Sequence, residues 1–94
     1  MNKQISRIDY SNVFLKQLKK APLEIKKSFK KRLVFFLKDE FYPILRNHEL
    51  TGTLESYRSI NITGDWRALY TEHSLGNKRV IIFEMLGTHS QLYR

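Results

Sequence analysis

Side chains able to move a proton or hold a phosphate gather in the second half of this sequence. The histidines are His48, His73 and His89, and Asp65 stands beside Trp66 and Arg67 in the stretch NITGDWRALY. A histidine with an unperturbed pKa near ~6.5 can give or take a proton around neutrality. An arginine fork grips phosphate bidentately, as a lysine does not. An exposed aromatic ring such as Trp66 or Tyr93 can stack on a nucleic-acid base, a contact worth ~1–3 kcal/mol. Each stretch also has a plainer reading. Gly64-Asp65 is a suitable hairpin turn, and GTHSQLY is a suitable C-terminal cap with an exposed histidine.

Other chemistries lack their residues. No two histidines have the spacing of a zinc motif and there is no cysteine, so no metal site is expected. The four glycines are scattered singly, which leaves no phosphate-cradling loop, and no nucleophile elbow is present. No cofactor is implied.

The elements that must position these residues follow from periodicity. QISRIDYS alternates as a first strand. Tyr10, Phe14, Leu18 and Ala21 then fall at helical spacing, with Ser11 or Asn12 as the cap. Pro22 suits the first turn of a second helix, PLEIKKSFKKRLVFFLKDEF. Ile25, Phe29, Leu33, Phe36, Leu37 and Phe41 form its apolar face, and Pro43 stops it. PILRNHELTGT reads as a loop. SYRSINIT and WRALYTEH alternate around the Gly64-Asp65 turn. RVIIFEML follows the Gly76-Asn77 turn as a more continuously apolar central strand that ends at Gly87, and THSQLYR is a short tail. The order β-α-α-β-β-β predicts an α+β fold in one domain over 1–94, with a helical hairpin packed on one face of a mainly antiparallel sheet. The other face is left as a concave working surface. Strict alternation would send Trp66 and Arg67 to opposite faces.

Composition adds a partner class. Among 94 residues, 17 Lys plus Arg against 9 Asp plus Glu give a net charge of +8, which draws the protein to polyanions. Eight of the basic residues lie between Lys16 and Arg32, against Glu24 alone. Lys26, Lys27, Lys30, Lys31 and Arg32 therefore read either as phosphate contacts or as a solvated helix face. Neither a signal-peptide run nor a membrane span is apparent, so a cytoplasmic protein that does not engage a membrane is expected.

The pattern HELTGTLESYRSINITGDWRALY, followed by a strand and then LGTHSQLY, resembles the YafQ branch of the RelE-like bacterial toxins. The resemblance covers the whole chain in layout and His48 to Tyr93 in detail. It implies a toxin of a type II toxin–antitoxin system, an mRNA interferase that enters the ribosome and cuts mRNA there without a metal. The ribose 2′-hydroxyl would attack the adjacent phosphate and expel the 5′-oxygen. The implied partners are a cognate antitoxin, in a hetero-oligomer, together with the ribosome and mRNA.

Carried over residue by residue, His48 matches the family's H-x-L histidine, Asp65 and Trp66 its D-W pair, and His89 the histidine of G-T-H. Arg58 falls in the Y-R pair. Tyr93 stands where the branch usually has Phe, and Arg67 resembles the strand arginine of the wider RelE group. Asn61 stands where the branch often has a further histidine; an amide can position a phosphate or base but cannot exchange a proton near neutrality. The implied roles are His89 as general acid, Asp65 or His48 as base (or Asp65 orienting a histidine), and Arg67 as the phosphate clamp. Trp66, Tyr93, Asn61 and Arg58 would bind substrate, while the helical lysines and Arg32 would meet ribosomal RNA. The alternatives are a toxin of this fold directed at DNA gyrase and a non-catalytic RNA-binding module.

Overall fold

The computed structural model describes residues 4–93; residues 1–3 and residue 94, which closes the expected tail, lie outside the described residues. The chain runs β1 (Ile5–Tyr10), α1 (Asn12–Lys20), α2 (Leu23–Lys38), β2 (His48–Glu49), β3 (Arg58–Thr63), β4 (Trp66–Leu75), β5 (Lys78–Thr88) and α3 (His89–Leu92). The strands form one sheet in the order β1-β5-β4-β3-β2. β1 pairs parallel to β5, and the other neighbours pair antiparallel. This is the expected α+β architecture, with a fifth strand and a third helix added. No helix among the described residues is long and apolar enough to cross a membrane.

Helices α1 and α2 cover one sheet face, and Phe83 of β5 is the centre of the contact. Its ring lies 5.3–6.0 Å from those of Tyr10, Phe14, Phe29, Phe36 and Tyr70. Strand β1, both helices and strand β4 thus meet at one side chain. Ile60, Ile62, Ala68, Ile81 and Leu86 extend the same buried cluster across the sheet.

The continuous apolar run of β5 is explained by a bulge. The β4–β5 register pairs Leu69 with Met85 but Tyr70 with Phe83, so Glu84 is the extra residue. Phe83 and Leu86, three residues apart, consequently both join the helix-side core. Beyond the last β1 pair, Tyr10 with Phe83, the start of α1 supplies partners to the β5 backbone. The Ser11 hydroxyl donates to the Glu84 carbonyl at 2.8 Å, and the Leu86 amide donates to Gln17 Oε1 at 2.7 Å. Ser11 also caps α1 as expected, its hydroxyl accepting from the Phe14 amide at 3.0 Å.

Four boundaries differ from the sequence expectation. Helix α2 ends at Lys38, short of Phe41, because the Asp39 carboxylate accepts from the Phe41 amide at 3.0 Å and turns the chain. Leu37 and Phe41, expected on the apolar face, are each 51% exposed. Strand β2 lies inside the expected loop; two residues are too few to show alternation. Strand β5 continues through Gly87 to Thr88, and the tail winds into α3 behind a capping box of Thr88 and Gln91. The T-x-x-Q spacing of that box was present in the sequence.

Truncating Phe83 to Ala is expected to cost about 3–5 kcal/mol, because it removes the ring that links the helices to the sheet. Phe83→Leu should cost clearly less. Urea unfolding followed by far-UV circular dichroism measures both, and similar losses for the two variants would contradict the central role of the ring.

Candidate active site

The face of the sheet away from α1 and α2 carries the residues with chemistry. Side chains paired across a regular sheet share a face. One row joins Asn61 of β3 to Arg67 of β4 and Gly87 of β5. The next joins His48 of β2 to Ser59, Leu69 and Met85.

The turn at Gly64-Asp65 organises the row at the strand ends. Gly64 adopts φ 50°, which a glycine tolerates readily. Its carbonyl accepts from Arg67 Nη1 at 2.9 Å and from Asn61 Nδ2 at 3.3 Å. Arg67 Nη1 also lies 3.1 Å from the Trp66 carbonyl. The half-buried guanidinium is therefore held by backbone, and among the described residues no carboxylate pairs with it. Such a cation keeps its charge available for an incoming anion. The Asp65 carbonyl accepts from the His89 amide at 2.9 Å, which ties the start of α3 to the same turn. The Asp65 side chain is exposed.

Helix α3 orients His89 through Tyr93. The two rings lie edge to face, with centroids 4.4 Å apart. Tyr93 is anchored by its hydroxyl, which donates to the fully buried Ser59 hydroxyl at 3.0 Å. Gly87 lets α3 fold back closely: a Cβ there would stand 3.0 Å from Gln91 Oε1 and 3.3 Å from Leu92.

His48 is set by a different part of the chain. Its Nδ1 lies 2.8 Å from the Arg46 carbonyl, and since a carbonyl only accepts, Nδ1 carries the hydrogen. In the neutral ring this leaves Nε2 as a free acceptor, the state a general base needs. Asn47 fixes the preceding backbone by donating to the Glu40 carbonyl at 2.9 Å and the Tyr70 hydroxyl at 2.7 Å. Burial pushes the Tyr70 phenol up from its ordinary pKa, so it stays neutral in this contact.

The structure thus gathers His48, Asn61, Arg67, His89 and Tyr93 on or beside the open face, with Asp65 on the rim turn. Three other expected residues, Trp66, Arg58 and Arg32, are placed elsewhere, while the helical lysines lie where the sequence put them. Trp66 follows the strand alternation to the helix side, where it packs against the buried core, so it is not a stacking ring of the open face. Arg58 is committed to structure: Nε donates to Asn47 Oδ1 at 2.8 Å, Nη1 lies 3.1 Å from Glu49, and the guanidinium stands 5.4 Å from the Phe41 ring centre. It positions the segment that carries His48. Lys26, Lys27, Lys30 and Lys31 lie on α2, across the sheet from Arg67, and all but Lys26 are exposed. Arg32 instead turns inward, and its Nε donates to the Ile62 carbonyl at 2.7 Å. His73 bonds the Thr71 hydroxyl at 3.0 Å, farther along β4 from the turn. Ser59, Asn47 and Gly87 had no sequence signal as site supports; their roles depend on contacts between distant segments. Among the described residues no cluster of three or more His, Asp or Glu forms a metal-binding group.

A five-stranded, mostly antiparallel sheet with helices packed on it is the fold of the RelE-like toxins. It superposes on YafQ from E. coli strain BL21(DE3) with a TM-score of 0.74 and 24% identity, over 93% of this chain and 97% of that one. A YoeB/ParE toxin from Agrobacterium tumefaciens gives 0.72 at 13% identity, over 88% and 98%. A chain of the E. coli DinJ-YafQ toxin-antitoxin complex gives 0.73 at 25% identity, over 98% and 100%. No curated protein sequence matches significantly. The family model for the bacterial toxin of type II toxin-antitoxin system, YafQ, matches residues 6–94, and the chain belongs to that family.

Tyr93→Phe is expected to keep the ring against His89 but lose the bond to Ser59, at a cost of about 1 kcal/mol in unfolding free energy. Tyr93→Ala should in addition free the His89 ring. NMR of the His89 imidazole distinguishes the two: an unchanged ring environment in Tyr93→Ala would show that Tyr93 does not orient it.

Proposed function

We propose that this toxin is an endoribonuclease that cuts mRNA on the ribosome by attack of a ribose 2′-hydroxyl on the adjacent phosphate. The observation that carries the reading is Arg67, a half-buried cation on the open face, held by the Gly64 and Trp66 carbonyls beside the turn that also bonds His89. A fixed cation with no carboxylate partner among the described residues suits a phosphate that gains charge in the transition state.

In this scheme His48 Nε2 takes the proton from the 2′-hydroxyl as its oxygen bonds to phosphorus. His89 gives a proton to the departing 5′-oxygen as the phosphorus–oxygen bond breaks. The products are a 2′,3′-cyclic phosphate and a 5′-hydroxyl. Arg67 neutralises the pentacovalent phosphate, Asn61 positions it, and Tyr93 offers a ring to a base. Asp65 is the other candidate base, exposed on the turn. No step calls on a metal.

The tautomer of His48 supports its choice as base, since its bond to Arg46 leaves Nε2 free. The exposed lysines of α2 would meet ribosomal RNA while the opposite face holds the message. E. coli YafQ is known in a complex with DinJ; by the same logic this chain would be neutralised by a cognate antitoxin in a hetero-oligomer. Its place of action would be the cytoplasm.

His89→Ala, His48→Ala and Arg67→Lys should each lower translation-dependent cleavage by about 10²-fold or more without unfolding the protein. Asp65→Ala should fall as far only if Asp65 is the base. Primer extension on mRNA from induced cells reads the breaks, and circular dichroism checks the fold. Wild-type cutting by both His89→Ala and Arg67→Lys would refute the site. Intact mRNA with a DNA-damage response on induction would identify a gyrase-directed toxin instead, and binding without cutting a non-catalytic module.

A further inference from the structure

Beside the Arg67 site, a cleft opens at the outer edge of β3, lined by Arg32, Pro43, Ile44, Arg46, Asn61 and Gly64. Its origin is in the backbone. The β2–β3 register pairs His48 with Ser59 and Glu49 with Arg58. Extended by two residues, that register would set Arg46 opposite Asn61. Arg46 instead adopts φ 48° and ψ 43°, a left-handed conformation that costs a non-glycine residue energy. It closes the short helical turn Pro43–Leu45 and carries the chain away from β3. The strand edge beyond Ser59 is left unpaired by β2, and the cleft fills that place.

The lining is basic without being neutralised. No carboxylate is among the lining residues. Arg32 uses Nε on the Ile62 carbonyl, and neither of its terminal nitrogens has a partner among the described residues. The Arg46 guanidinium likewise has no partner among the described residues. Arg58, Arg7 and Arg79, by contrast, each hold a carboxylate. Pro43 and Ile44 add an apolar wall suited to the sugar or base of a nucleotide.

The cleft shares two residues with the proposed scissile-phosphate site. The Gly64 carbonyl that holds Arg67 is at its border, and the Asn61 amide bonds that same carbonyl. We infer that Arg32 and Arg46 form a second phosphate subsite, which holds the phosphodiester next to the scissile one on the same RNA strand. The inference rests on the endoribonuclease reading for the identity of the strand. The subsite fixes the register of the strand over Arg67 by charge and shape, and does not take part in proton transfer.

The experiment uses the full chain and a short single-stranded RNA made uncleavable by 2′-O-methylation, with affinity measured by fluorescence anisotropy across a salt series. Arg46→Asn, whose replacement tolerates the left-handed backbone, should weaken binding about tenfold at low salt, the size of one charge-assisted hydrogen bond. The slope of log affinity against log salt should fall by about 0.7, the share of one single-strand phosphate. Arg32→Gln should do the same. A methylphosphonate, which removes one backbone charge, should weaken wild-type binding at the linkage next to the scissile one as well as at the scissile linkage itself, and Arg46→Asn should lose the sensitivity at the first of these alone. Thermal melts check the fold; if Arg32→Gln unfolds, Arg46→Asn and the methylphosphonate series still decide. Wild-type affinity and slope in Arg46→Asn would overturn the subsite. So would equal sensitivity of both proteins to every methylphosphonate. Normal oligonucleotide binding by Arg46→Asn with lost ribosome binding would assign the cleft to ribosomal RNA and overturn it too. A wild-type protein that binds the strand through this cleft but never cuts mRNA would refute the nuclease reading alone.

Discussion

Packing around Phe83 is the contact on which the rest of this structure depends. One ring touches β1, α1, α2 and β4, so the helices cannot shift on the sheet without separating aromatic surfaces. In a chain of 94 residues, a few kcal/mol lost at that point is a large part of the whole stability. The bulge at Glu84 is a condition of this packing, since it turns both Phe83 and Leu86 to the helix side. Ser11, the cap of α1, and Gln17 within it bond the β5 backbone at Glu84 and Leu86, past the end of β1. With α1 and α2 on one face, the other is left to chemistry, covered only in part by α3 and Tyr93.

The open face is organised by main-chain carbonyls more than by side-chain pairs. Arg67, Asn61 and the amide of His89 all bond to Gly64 or Asp65, and His48 bonds to the Arg46 carbonyl. A carbonyl orients a cation or an imidazole without cancelling its charge, as a carboxylate would. Elsewhere the pattern is the reverse. Arg79 is clamped between Glu40 and Glu72, which push its pKa further up and remove it from any role in recognition. The division between arginines that serve the fold and arginines left open is therefore set by their neighbours.

That division marks the limit of what could be read from the linear chain. Arg58 and Arg32 looked like two more basic residues for RNA. Arg58 proves to brace the segment before His48, whereas Arg32 reaches through Nε to a strand carbonyl thirty positions away and keeps its terminal nitrogens open toward the cleft. Trp66 and Arg67 illustrate the opposite case. Alternation alone separates them, and the sheet keeps them separate, because a side chain's face in a strand is a local property. The capping box at Thr88 is equally local, since its T-x-x-Q spacing lies within a stretch of four residues.

By itself the sequence determined the α+β order of elements, the turns at Gly64 and Gly76, the Ser11 cap and the family to which the chain belongs. These depend on neighbours within a few residues or on a pattern kept in linear order. The tertiary structure decided which nitrogen of His48 is free, which ring supports His89, and which guanidinium groups keep an open charge. It also decided where β2 stops and the basic cleft begins. Such facts depend on contacts between segments far apart in the chain, and periodicity carries no information about them. NITGDWRALY is a hairpin turn by sequence; Asn61, Arg67 and His89 make it the organising point of a site only once the sheet has brought them to it.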